Sequence, residues 1–437
     1  MRVLVAGGGV AGITASVAAR RSGSSVTLVE ASGSLGLNQS MFACLLSESP
    51  RGSLRLKDAQ SLSSEYGVDM RLNEGILSVD SSSRTAHTAG GRIEFDSLVL
   101  ATGSRYVNDE VKGMSKQGVF AMRSMEDYLA LSRSRRAMSR IMVMGPPLRS
   151  LMVAQAISSG QQVKVFLGAG GLGRFSPGLE RIVERAARSR GVELLNADID
   201  NVVGMKRVEA VMSAGMVYPC DGVVMLPRSA PLLPRVDCLV GDHGGALVDR
   251  SMRTTSGGVY AAGDCAELRL GSSSIQSRLH SSSELMGEVA GVNAAGGAAR
   301  AEATGTMALE VFGIEVCTAG IGVEEGTSAG LDVERADSGE TGTDGMAGGT
   351  YASLVYDRST LKVHGVQVAG PGAIALSEYV SLVVSCGSTL ESLAYHESPY
   401  LPNINKDKPP IGLTAGKILR QIQERGIEAQ GTHLRHR

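Results

Sequence analysis

The chain has 437 residues, 43% of them apolar and 20% charged, with a formal net charge of −1 at neutral pH. That length and composition lead us to expect about three domains with sizeable cores, and a charge so near zero gives no reason to expect nucleic acid or an anionic membrane as partner. No apolar run approaches the roughly 18 residues of a membrane span, and residues 1–12 already read as strand and turn, so no signal peptide is expected ahead of the fold.

The N-terminal stretch MRVLVAGGGVAGITASVAARRSGSSVTLVE begins with an apolar run, Val3 to Ala6, that leads into Gly7, Gly9 and Gly12 at G-x-G-x-x-G spacing. A small-residue helix and a second apolar run follow, ending at Glu30, 23 positions beyond Gly7. Strand, turn, helix, strand and acid in that order predict a dinucleotide-binding fold. Gly7 permits the tight turn. Gly9, with Val10 and Ala11 beside it, lets backbone approach a pyrophosphate. Gly12 lets helix pack on strand, and Glu30 can accept ribose hydroxyls.

Next comes Cys44, in NQSMFACLLSESP, with apolar Met41, Phe42, Leu45 and Leu46 around it. The six cysteines, at 44, 220, 238, 265, 317 and 386, form no C-x-x-C pair and no metal-like cluster. A reducing cytoplasm and no bound metal are expected. FDSLVLATGS is an apolar strand that runs into Ala101, Thr102 and Gly103. Further on, GGVYAAGDCAEL is a strand ending at Gly263 and Asp264.

Between those two segments lies IMVMGPPLRSLMVAQA, residues 141–156, with Gly145 at the first position of a second glycine turn. Pro147 and Ser150 stand where its second and third glycines are expected, and 23 positions beyond Gly145 is Gly168. The two halves are thus expected to match without a gap, with the ribose acid replaced by glycine. Proline has no N–H to offer a phosphate. In the last third, YASLVYDRSTLKVHGVQVAG alternates like paired strands about a turn at Ser359, and AIALSEYVSLVVSCGSTLESL is apolar at helical spacing.

The Gly7 turn, the Ala101–Gly103 segment and the Gly263–Asp264 pair, in that order, resemble the FAD-dependent pyridine nucleotide-disulfide oxidoreductases over nearly the whole chain. The resemblance implies an α/β protein with two Rossmann-like, glutathione reductase-type nucleotide-binding domains and an α+β C-terminal dimerisation domain. It places FAD binding in 1–111 and 243–305, a degenerate NAD(P)-binding-like domain in 112–242, and dimerisation in 306–437. Ala101, Thr102 and Gly103 would close the first nucleotide domain, and Gly263 and Asp264 would hold the ribityl and pyrophosphate region of FAD.

Cys44 resembles the single redox cysteine of CoA-disulfide reductases and their relatives, the persulfide reductases and NADH oxidases, whose S-x-x-x-C pattern is matched by Ser40 to Cys44. Such a thiolate can attack a substrate disulfide sulfur. Val10 stands where peroxidase and oxidase members carry histidine, as it does in the CoA-disulfide reductases. Arg20 and Arg21 resemble the basic pair those reductases place near CoA phosphates. Tyr395, followed by His396, matches the family tyrosine of an A-Y-A-P-P stretch and would protonate a released thiol from the other subunit of a homodimer. Tyr400 is out of register, because three extra residues precede Lys406 and Asp407. A second family tyrosine, in a Y-Y-P-G stretch, has no counterpart.

The implied function is FAD-dependent electron transfer with a sulfur substrate: CoA disulfide, a persulfide or another low-molecular-weight disulfide. NAD(P)H heads the candidate donors, but the Gly145 turn leaves three readings open. NAD(P)H binds by other contacts, with Arg174 its candidate phosphate partner; or another donor supplies the electrons; or this half is scaffold only. Two further alternatives stand beside them. One is an NAD(P)H-independent sulfide or thiol dehydrogenase that delivers electrons to a quinone or carrier protein, and the other is a flavin-bound redox sensor without turnover.

Overall fold

The apolar runs beside each glycine turn become strands buried on both faces, as parallel sheets covered by helices require. Val3, Leu4, Val5 and Ala6 are all buried, and their strand, Arg2–Ala6, lies at the centre of a five-stranded parallel sheet. Its order is Val259–Ala261, Ser97–Leu100, Arg2–Ala6, Ser25–Glu30, Asp69–Leu72. A second five-stranded parallel sheet repeats the plan, in the order Val119–Ala121, Gly222–Met225, Arg140–Met144, Gln162–Phe166, Val192–Leu195. In each, the strand before the glycine turn is central and the chain order reverses beside it, which opens a crevice at the carboxyl ends of the strands. The computed structural model describes residues 1–36, 46, 59–107, 111–338, 349–399 and 409–434.

The helix after the first turn, Val10–Arg21, is rich in small residues because another helix lies tightly against it. That partner is His280–Ala294, whose Gly287 and Gly291 are four apart and so share one face. A Cβ on Gly287 would lie 2.4 Å from the Ala11 carbonyl oxygen, and one on Gly291 would lie 2.3 Å from that of Ala15. Backbone therefore meets backbone with no side chain between.

The chain divides into two compact units, Met1–Gly173 with Glu184–Ala303, and Arg174–Val183 with Thr304–Arg437. The first unit holds both parallel sheets. The second is built on a five-stranded antiparallel sheet in the order Met307–Val311, Ile314–Gly320, Val363–Ala369, Tyr351–Asp357, Val333–Asp337. Its core is shared with helices Ser377–Ser385, Leu390–Ala394 and Pro410–Leu434, through Val380, Val383, Leu390 and Ile411. The alternating stretch expected to pair about Ser359 does so. The Asp357 carboxylate accepts from the amides and hydroxyls of Ser359 and Thr360, which hold its pKa down to about 2.

Residues 174–183 belong to the second unit because their polar groups are satisfied there. The Ser176 amide donates to Gln367 Oε1 at 2.7 Å, and the Gln367 amide returns a bond to the Arg174 carbonyl at 2.6 Å. The Ser176 hydroxyl shares a 2.7 Å hydrogen bond with that of Tyr351, both residues being buried. Arg174 itself donates to the Gly320 carbonyl at 2.8 Å and lies 3.4 Å from the Glu325 carboxylate.

Candidate functional site

The Gly7 turn has the shape its spacing predicts, and each glycine is there for a different reason. Gly7 has φ of +107°, and a Cβ on it would lie 2.2 Å from the Ala101 carbonyl oxygen. A Cβ on Gly12 would lie 1.8 Å from the Gly7 carbonyl oxygen, so this glycine lets the helix sit on its own turn. Gly9 differs from both, since a Cβ there meets nothing within 4 Å. It faces open space at the start of a 12-residue helix that has no side-chain cap and no acid in its first turn. Uncapped helix amides at an open cradle form an anion site suited to a pyrophosphate.

Glu30 ends the neighbouring strand and reaches back to this turn. One carboxylate oxygen accepts from the Gly8 amide at 2.7 Å, and the other accepts from the amide and hydroxyl of Ser32, both at 2.8 Å. A carboxylate has about four acceptor sites, so Glu30 is oriented by the turn while keeping capacity for a ribose hydroxyl. Gly36 folds back to donate to the Gly8 carbonyl at 2.8 Å and closes the loop over the glycines.

On the other side of the crevice, Ala101, Thr102 and Gly103 follow the strand Ser97–Leu100, and Gly263 and Asp264 open a short turn after Val259–Ala261. Thr102 donates to the Leu232 carbonyl, and the Leu232 amide donates to the Gly103 carbonyl at 3.0 Å. The segment Arg228–Pro231 pairs antiparallel with Ser104–Val107. Ser104, which sequence reasoning passed over, donates to the Asp264 carboxylate at 3.1 Å. The Gly287 and Gly291 pair was also missed, and its four-residue spacing is the signal that marks it.

The Gly145 turn departs from the ungapped match expected of it. Ala6 lies opposite Val29 in the first sheet, whereas Met144 lies opposite Phe166 in the second. The second frame is therefore one residue short, and the position level with Glu30 is Leu167, not Gly168. The shortening falls in the turn. Helix Val10–Arg21 is capped by Gly9, three residues after Ala6, while helix Pro147–Ile157 is capped by Pro146, two after Met144. What survives is the first glycine. Gly145 has φ of +137°, and a Cβ there would lie 2.3 Å from the Leu226 carbonyl oxygen, as at Gly7.

The other predicted residues fall into three groups. Cys44 and its neighbours Ser40, Met41, Phe42 and Leu45 lie outside the described residues, as do Tyr400, Lys406 and Asp407; Leu46 is described and fully buried. Arg20 is a structural brace rather than a free cation. Its Nε donates to the Tyr66 carbonyl and its Nη1 to that of Ser24, both at 2.7 Å. Arg21 is exposed, its guanidinium 5.8 Å from the centre of the Tyr66 ring. Tyr395 is 74% exposed, while both ring nitrogens of His396 are engaged, with the Leu393 carbonyl at 2.7 Å and Ser398 at 3.1 Å.

Among the described cysteines no disulfide forms. Burial pushes the Cys220 thiol up to about 12 and that of Cys317 up to about 11, and raises those of Cys238 and Cys265 as well. None of these four is a thiolate near neutral pH. No helix among the described residues is long and apolar enough to cross a membrane.

A family model for pyridine nucleotide-disulphide oxidoreductases matches residues 1–284, and the chain belongs to that family. It is an oxidoreductase whose cofactor is FAD. The open space at Gly9, the uncapped helix start, the turn-held Glu30 and the Ser104–Asp264 pair fit that group. The chain is 24% identical to an NADH oxidase of Methanocaldococcus jannaschii, over 97% of this chain and the whole of the relative. It is 25% identical to an NAD(P)H coenzyme A polysulfide/persulfide reductase of Pyrococcus horikoshii, over 77% of this chain and 79% of that one. Among solved structures, an NAD-dependent persulfide reductase from A. fulgidus shares the fold with a TM-score of 0.81 at 22% identity, covering 97% of this chain and 84% of its own.

Proposed function

We propose that the protein reduces a low-molecular-weight disulfide or persulfide, with coenzyme A-based ones the first candidates, through Cys44. The observation that carries this reading is the Gly7 turn with Glu30 and the Ser104–Asp264 pair, which suit FAD, in a chain similar to proteins named for persulfide reduction. FAD, once reduced by an external two-electron donor, would supply the electron pair. A substrate disulfide takes two electrons and two protons and leaves as two thiols, so the chain must provide a thiol to exchange with it and a route for protons.

Cys44 is assigned the exchange by its likeness to the family's single redox cysteine. The raised pKa values of Cys220, Cys238, Cys265 and Cys317 support the assignment, because the thiolate is the nucleophile. Arg21 is assigned to a substrate phosphate. We further assign FAD binding to 1–111 and 243–305, the second nucleotide-type domain to 112–242, and a homodimer contact to 306–437. Exposed Ile374, Leu382, Tyr395 and Leu413 supply apolar surface for a second copy, from which Tyr395 would reach the partner's site as proton donor. The unpaired thiols among the described residues suit a reducing cytoplasm.

The test removes the electron donor from the question. Flavin is photoreduced anaerobically and then mixed with CoA disulfide or CoA persulfide. The natural protein should be reoxidised by at least one of them at a rate that saturates with substrate. Cys44→Ser should keep its flavin and lose that reaction, and equal reoxidation rates in the two proteins would sink the proposal.

A further inference from the structure

We infer that the second nucleotide-type fold, built on Gly145, is closed to pyridine dinucleotides. The first fold of the same chain supplies the comparison. There the glycine turn runs three residues from strand end to helix cap, Glu30 stands level with Gly7, and the following loop closes back over Gly8. The first two of these features are changed in the second fold, and each change removes a contact that a dinucleotide needs.

The turn is one residue shorter, its helix is capped by Pro146, and Pro147 fills the first helical position. Neither proline has an N–H, so the two backbone donors nearest the turn are missing. Beside it, Leu167 is 7% exposed and occupies the level of Glu30, so an apolar side chain stands where the ribose acceptor belongs. Arg149 lies in the first turn of this helix, and its guanidinium donates to the Pro227 carbonyl at 2.6 Å. The loop that follows is also reassigned. The Gly168 amide donates to the Ala197 carbonyl at 3.1 Å, and Arg174–Val183 are part of the second unit. Arg174, the candidate for a nucleotide phosphate, is held there by Gly320 and Glu325. The fold has kept the first glycine and the sheet but has lost the turn donors and the acid beside them.

Calorimetric titration of the FAD-loaded protein with NADH, NADPH and ADP-ribose reads this directly, whether or not Cys44 performs sulfur chemistry. Each lost amide–phosphate bond weakens affinity by roughly tenfold or more. All three probes should therefore fail to saturate below millimolar concentration while the flavin stays bound. Saturable micromolar binding of any of them overturns the inference. A repair variant combines a glycine inserted after Gly145 with Pro146→Gly, Pro147→Gly and Leu167→Glu. Where it keeps its FAD and its melting temperature, it should bind NADH at least about tenfold more tightly than the natural chain. No gain in such a folded variant also overturns the inference, and if the variant does not fold, the titration of the natural protein decides.

Discussion

Ser104 and Asp264 stand 160 positions apart in the chain, yet the serine hydroxyl donates to the aspartate carboxylate across 3.1 Å. The bond joins the segments that follow two neighbouring parallel strands and orients the carboxylate where we propose that FAD binds. Asp264→Ala should yield protein that loses FAD on gel filtration, read from its visible absorbance. Ser104→Ala removes only the brace, worth about 1.5–3 kcal/mol for a hydrogen bond to a charged group, and should weaken FAD binding while leaving the protein yellow. Full FAD retention by Asp264→Ala would count against its role.

Gly9 and Gly12 separate binding from folding. A Cβ at Gly9 enters open space, so Gly9→Ala should melt within about 1 °C of the natural apoprotein, an effect in the range of ordinary surface substitutions, and bind FAD poorly. A Cβ at Gly12 collides with the Gly7 carbonyl at 1.8 Å, so Gly12→Ala should be destabilised in the apoprotein too. Thermal melts with and without FAD distinguish the two, and equal damage to both apoproteins would show that Gly9 is structural.

The buried thiols and phenols set an alkaline limit. Burial pushes Cys317 up to about 11, and Cys220, Tyr128 and Tyr351 up to about 12. Each folded pKa exceeds its unfolded value, roughly 8.5 for cysteine and 10 for tyrosine. The native state therefore holds these protons more tightly. The stability they contribute is whole below the unfolded values and is lost as pH rises through 11 and 12. The melting temperature should fall steadily over that alkaline range, and brief iodoacetamide treatment near neutral pH should leave Cys220 and Cys317 unlabelled by peptide mass mapping.

Ser176 and Tyr351 form the buried link that seats residues 174–183 in the second unit. Tyr351→Phe deletes that bond and should lower stability by about 1–3 kcal/mol in chemical denaturation. Adding Ser176→Ala should lower it by less than Ser176→Ala does alone, because the bond between the two hydroxyls is already gone and only the one that Ser176 accepts from the Leu179 amide remains to be lost. Fully additive losses would show that the two hydroxyls act separately.

A homodimer built on residues 306–437 should scatter light as twice the mass of the 45.4 kDa chain at micromolar concentration. Leu382→Glu places a charge on its exposed helix face and should shift the protein toward monomer without loss of FAD. A monomeric natural protein would remove both the interface and the proposed reach of Tyr395.

What the sequence by itself determined is what short-range geometry demands. Gly7, Gly9, Gly12 and Glu30 were legible because a tight turn, a close helix and an acid at a strand end are requirements of one continuous segment, and the apolar runs beside them could only be buried strands. The alternation from Tyr351 to Ala369 was legible for the same reason. Tertiary structure decided what depends on partners distant in the chain. Counting from Gly145 led to Gly168, but strand register is set by sheet pairing, and Met144 opposite Phe166 puts Leu167 at the level that Glu30 holds in the first sheet. Arg20 reads as a free helix charge until the Tyr66 carbonyl, 46 residues on, claims it. Arg174 and Ser176 carry no local signal for their partners at 320, 325, 351 and 367, because a hydrogen bond across such a separation exists only once the sheet that holds its other end has folded.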